Sequence, residues 1–367
     1  MRRIAGIVLA VLLIGGVVAA VVAGRDNGDQ GTATKTVRAV IGSEKATFFA
    51  DQQVVDALAA EGYTVRTETS GSWAMEGLDL EGFDFAFPSS QAPADELAAK
   101  LGVQKPLPRP FYSPLVVVAH HNAAAVLDRN GLADVESAQG KGVLRMEAFL
   151  DAARDDRTWQ ELKGAEQHGE LTGTLYTATT DPVTSNSGAL YLAAASYVDN
   201  GLKVVAGDAD IRRAAPLLRK LVQVQGAQQP SSDAAFTDFI SGAGKPLVLV
   251  YESQVAALLA EGGAGVTDDL TVLYPDTTVN SDHTVVPLTE EGRAVGQLLS
   301  TDPELRKLAV KHGFRPERGT AEFTAATQDH TDHLNQQLDG ISQAPVPTYE
   351  VLREMTRRAR GQGDSTS

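Results

Sequence analysis

The chain has 367 residues, 43% of them hydrophobic, and a mean hydropathy of −0.13, enough for a sizeable core divided between two lobes. A formal net charge of −15 with no basic stripe argues against a nucleic-acid partner. The absence of cysteine excludes a disulfide framework, a thiolate nucleophile and a lipid-modified cysteine.

Arg2 and Arg3 precede residues 4–23, which are only Ile, Ala, Gly, Val and Leu. A run of about 20 apolar residues is long enough to cross the hydrocarbon core as a helix. A cleaved signal peptide is the competing reading of residues 1–24, with Val21-x-Ala23 as a passable cleavage site; the length of the run favours an uncleaved anchor. Either way the basic pair keeps the N-terminus inside and exports the remainder. The expected location is the cell membrane, single-pass with an extracellular domain, or secretion if the segment is cleaved. Residues 25–35 are a polar linker.

Residues 36–41 read as the first strand, ending at Gly42-Ser43-Glu44-Lys45. A helix is expected over 48–58, then a strand over 63–68 that ends in Thr69-Ser70-Gly71-Ser72. A third strand, 83–87, ends at Pro88-Ser89-Ser90, and a helix over 93–101 follows. This βαβ alternation predicts a parallel sheet with right-handed crossovers, in which ligands gather beyond the carboxyl ends of the strands. Residues 112–120 form a long apolar strand suited to crossing into a second lobe. There, helices are expected over 147–162, 208–225, 233–241 and 255–260, with strands over 174–179 and 246–251. Strands at 270–274 and 284–288 carry the chain back, and 289–312 is helical with a second start at Asp302-Pro303. Beyond 317 the pattern weakens: 323–341 is polar, 349–360 is a basic helix read as a solvated tail, and 361–367 is expected to be disordered.

The most informative stretch is Asp181-Pro182-Val183-Thr184-Ser185-Asn186-Ser187-Gly188-Ala189-Leu190, placed between the 174–179 strand and an Ala/Leu-rich helix. A helix N-terminus offers unpaired N–H groups and a partial positive charge. Ser185 or Ser187 can cap it, Gly188 lets a ligand approach the backbone, and the whole forms a small-molecule or anion site. The competing reading is ordinary capping, which needs no ligand. Tyr251-Glu252 closes another strand in the same manner.

Catalytic constellations are not evident. Gly242-Ala243-Gly244-Lys245 lacks the upstream spacing of a phosphate loop, and no Gly-x-Ser-x-Gly elbow is present. His330 and His333 lack further metal ligands, and Glu252 lacks a nucleophile partner. No enzyme activity, cofactor or metal is expected.

The segments 181–190 (DPVTSNSGAL), 248–254 (VLVYESQ) and 273–288 (LYPDTTVNSDHTVVPL), followed by Gly313-Phe314-Arg315-Pro316, occur in an order that resembles the extracellular solute-binding proteins of the type II periplasmic-binding-protein superfamily, especially membrane-attached actinobacterial members. The resemblance covers about residues 36–316. It implies an α/β, two-lobed type II periplasmic-binding-protein-like fold with two crossover strands, here carried on an N-terminal transmembrane helix. Lobe 1 is expected from 36–118 and 271–316, lobe 2 from 119–270, and a C-terminal extension from 317–367. The ligand-binding positions map onto Ser43, Ser70, Ser72, Ser89, Ser90, Ser185, Asn186, Ser187, Gly188, Tyr251 and Glu252. The implied role is capture of a small polar solute, with oxyanions among the candidates, for an ABC-type transporter and its membrane permease. Glu252 at the cleft would oppose a fully charged anion, so the charge of the solute stays open. The alternative is a membrane-tethered sensing or scaffolding ectodomain working with a neighbouring membrane protein.

Overall fold

The computed structural model describes residues 34–135, 140–262 and 269–362. The expected membrane helix over 4–23 lies outside them; among the described residues no helix is long and apolar enough to cross a membrane.

Strands β1 (Lys35–Ile41), β2 (Tyr63–Thr69) and β3 (Phe85–Phe87) are parallel, with β1 between the other two. Ile41 lies level with both Thr69 and Phe87, so the three strands finish at one edge and their serine-bearing loops emerge together. Val37, Ala39 and Ile41 bury one face of this sheet against Phe48, Phe85, Phe111 and Phe314. The expected 48–58 helix is two helices, Ala46–Ala50 and Gln52–Ala60, because Asp51 adopts an extended conformation and accepts a bond from Gln53 N–H as the cap of the second.

Strand β4 (Phe111–Ala119) is the spine of the molecule. Its first half pairs with β10 (Asn280–His283) and β12 (Arg315–Pro316). Its second half pairs with β7 (Leu247–Tyr251) and β8 (Thr271–Pro275). All nine of its residues are apolar or hydroxyl-bearing and eight are buried, as a strand covered on both faces requires. Beyond β8 the second sheet continues through β6 (Lys141–Leu144) to β5 (Ala133–Val135). Short β9 (Thr277–Thr278) and β11 (Val286–Pro287) lead back, and β11 joins the edge of β3. The architecture is therefore α/β and two-lobed.

Several expectations need correction. The 174–179 segment is not a strand: only Ala178 bridges β7, while the Thr179 N–H is taken by the Gln225 side chain at 2.7 Å. The 147–162 helix stops at Arg154, where the chain turns through Asp156 in the left-handed region before a short turn at Trp159–Glu161. The return strand expected at 284–288 is present only as the short β11, and β10 lies before it, in the stretch 275–283 read as a connection. The basic C-terminal helix, Tyr349–Ala359, is no solvated tail: Leu352, Met355 and Ala359 are buried against the second lobe, alongside Leu217, Leu218 and Leu221 of the Asp208–Gln223 helix.

Candidate functional site

A cavity of about 210 Å³ lies between the lobes. From the first lobe it is lined by Gly42, Ser43 and Glu44 after β1, by Thr69 at the end of β2 and Ser70 to Ser72 beyond it, and by Ser89 after β3. From the second it is lined by Ser185 and Asn186, by Pro230 to Ser232, and by Tyr251 at the end of β7. Seven of the expected residues thus meet around one space: Ser43, Ser70, Ser72, Ser89, Ser185, Asn186 and Tyr251.

Ser89 is the hub of the first wall. Its N–H donates to Ser72 Oγ at 2.8 Å, and its hydroxyl donates to Glu44 Oε1 at 2.5 Å. Lys45 Nζ donates to that same Glu44 oxygen and to Ser89 Oγ at 3.2 Å, while lying 3.1 Å from His283 Nδ1. Lys45 and His283 are fully buried. Burial opposes ionisation of Glu44, but the Lys45 charge and the His283 hydrogen bond outweigh it and hold the carboxyl below its usual range. Burial and the Lys45 charge together push His283 down to about 4, so the ring is neutral at neutral pH. Glu44 lines the cavity, and the bonds from Ser89 and Lys45 both fall on its Oε1, leaving Oε2 with no hydrogen bond to another described residue.

Asn186 ties the walls together. Its carbonyl accepts from Ser90 Oγ at 2.5 Å, and its amide donates to Tyr251 OH and Ser281 Oγ, each at 3.1 Å. Asp233, next to Ser232, accepts from Gln254 Nε2 at 2.7 Å. Burial, with Glu44 adding repulsion, pushes its carboxyl up to about 6.

Four expected positions lie outside the lining. Ser90 reaches the site only through Asn186. Ser187 is fully buried and bonded to Thr180 Oγ1 at 2.8 Å. Thr180 also accepts the Gly188 N–H at 2.9 Å, so the cap of the Asn186–Asp199 helix comes from Thr180 rather than Ser185 or Ser187. A Cβ on Gly188 would stand 2.3 Å from the Thr180 carbonyl oxygen; the glycine admits that carbonyl, not a ligand. The expectation that Glu252 faces the cleft is overturned. Its fully buried carboxylate is gripped by Arg315, at 2.5 and 2.8 Å, and by Tyr274 OH at 2.5 Å, and none of the three residues lines the cavity.

Sequence reasoning missed Lys45, His283, Asp233 and Ser281. Lys45 and His283 lie 238 residues apart, and nothing local marks either as buried. Glu44 adjoins Ser43 in the same strand-end turn, which was the available signal.

No protein family matches the chain, and no curated protein matches it in sequence. Solved structures do. The sulfate-binding protein SubI from Mycobacterium tuberculosis H37Rv is 16% identical with a TM-score of 0.52, over 87% of this chain and 96% of that one. A periplasmic thiamin binding protein is 13% identical with a TM-score of 0.60, over 91% and 98%. The periplasmic binding protein AfuA from Actinobacillus pleuropneumoniae, with exogenous fructose-6-phosphate bound, is 10% identical with a TM-score of 0.56, over 89% and 97%. At these identities the likeness is one of fold: the chain has the type II periplasmic-binding-protein-like architecture.

Proposed function

We propose that the chain is a non-enzymatic extracellular solute-binding protein that encloses a small polar solute between its lobes and delivers it to an ABC-type permease, with residues 4–23 as its tether. The observation that carries this reading is the cavity itself: strand-end loops from both lobes surround it with hydroxyls, and Asn186 bonds partners on each side. Binding that contacts both lobes favours the closed arrangement by its differential affinity for that state.

The lining also narrows the solute. Glu44 is balanced by Lys45, so the pair adds little net field, yet Oε2 asks for a hydrogen-bond donor. At the starts of the Asn186–Asp199 and Ser232–Ile240 helices Thr180 and Ser231 cap the Gly188 and Ala234 N–H groups, and the first-turn N–H groups that these caps leave over are the donors for oxygen acceptors. A solute carrying both, such as a protonated oxyanion or a polyol, fits better than fully ionised sulfate.

The test is thermal melting against phosphate, sulfate, sugars and amino acids. A solute at about a hundred times its dissociation constant should add about 2.7 kcal/mol. No gain across the panel counts against the reading. The docked C-terminal helix favours one second reading, a tethered sensing ectodomain using the same cavity. Loss of uptake of the stabilising solute on deletion of the chain would separate transport from sensing.

A further inference from the structure

The C-terminal segment runs back over the stretch of chain between β8 and β10. After β12 it lays β13 (Ser342–Gln343) beside β9, with Ser342 N–H on the Asp276 carbonyl and Ala344 N–H on the Thr278 carbonyl, each at 2.8 Å. Pro345-Val346-Pro347 then leads into the Tyr349–Ala359 helix. One face of that helix is sunk into the second lobe through Leu352, Met355 and Ala359. Its first turn reaches the other lobe. The Tyr349 ring stacks on Trp73 at 5.0 Å between centroids and 12° between planes. The Tyr349 hydroxyl donates to Glu76, and Arg353 Nη1 reaches the same carboxylate at 3.2 Å.

Trp73 belongs by sequence to the loop after β2, immediately beyond Ser70, Gly71 and Ser72, which line the cavity. By packing it belongs to the core of the second lobe, and it is only 7% exposed. Its indole Nε1 has no hydrogen-bond partner among the described residues. Burying that donor unpaired costs free energy, which the packing around the ring must offset, and the stacked Tyr349 ring is part of that packing.

We propose that the C-terminal helix is a strap that holds the lobes closed, with Tyr349 and Arg353 clamping Trp73 and Glu76. It locks the cavity-lining loop of one lobe onto a helix anchored in the other. This goes beyond the solute-binding reading, and its test needs no solute.

The chain has no cysteine, so two can be introduced cleanly. Ala60→Cys and Ala125→Cys place one exposed spin label on each lobe of the full chain. Pulsed EPR then reads the interlobe distance. Tyr349→Ala is expected to shift the open-to-closed ratio about tenfold toward open, since an aromatic stack and a charged contact are lost together. Tyr349→Phe, which keeps the stack, should retain most of the closed population. Trp73→Ala removes the same contact from the other lobe without touching the helix, and must open the lobes as Tyr349→Ala does. A distance distribution unchanged in Tyr349→Ala, or opened by it but unchanged in Trp73→Ala, overturns the proposal.

Discussion

Gly71 of the first lobe meets Thr184 of the second so closely that a Cβ on Gly71 would stand 2.3 Å from the Thr184 carbonyl oxygen. That carbonyl also accepts the Trp73 N–H at 3.2 Å, so the two loops are joined by backbone as well as by packing. Gly71 is not among the positive-φ glycines, and alanine suits its backbone wherever the lobes stand apart. Gly71→Ala is therefore expected to leave the lobes folded but to block their closure. Small-angle scattering should show a larger radius of gyration, and the stabilising solute should lose its effect on melting. An unchanged radius with full stabilisation would refute the contact as the closing surface.

Asp233 gives a pH signature. Burial raises its carboxyl from 3.8 to about 6, so the folded chain holds a proton between those values that the unfolded chain has released. Its ionisation therefore costs stability above pH 6, and the cost fades as the pH falls toward 3.8. His283 works in the opposite direction, since its proton is taken up more readily by the unfolded chain down to about pH 4. The readout is thus the difference between two proteins. In urea titrations, wild type should gain on Asp233→Asn as pH is lowered from 7 to 4. A constant difference would mean that Asp233 is not desolvated in the folded chain.

The Glu252–Arg315 pair should behave as a structural unit. Arg315→Met leaves a buried carboxylate unpaired and is expected to cost about 3–5 kcal/mol in denaturant unfolding. Glu252→Gln combined with Arg315→Met should recover much of that. The double variant should still be stabilised by solute to the wild-type extent, because Glu252 lies outside the cavity. Loss of solute response there would restore Glu252 to the cleft.

Gly188→Ala separates packing from ligand contact. The added methyl meets the Thr180 carbonyl and Pro182, an overpacking expected to cost about 1–3 kcal/mol. The loss should be equal with and without solute. A loss confined to the liganded protein would mean that Gly188 touches the ligand.

The sequence alone determined much of the first lobe. Alternation of apolar residues and the Gly42-Ser43, Ser70-Gly71-Ser72 and Ser89-Ser90 turns are local signals, and parallel strands bring such turns to one edge. The same logic placed Ser185, Asn186 and Tyr251 beside them. What it could not determine was direction within a turn. Tyr251 and Glu252 are neighbours in the chain, yet one faces the cavity and the other faces Arg315, 63 residues away. Burial of Lys45 beside His283, and of Trp73 beneath Tyr349, was decided in the same way. A charge or an indole is stable inside only where a distant segment supplies its partner, and the chain discloses that partner only once it has folded.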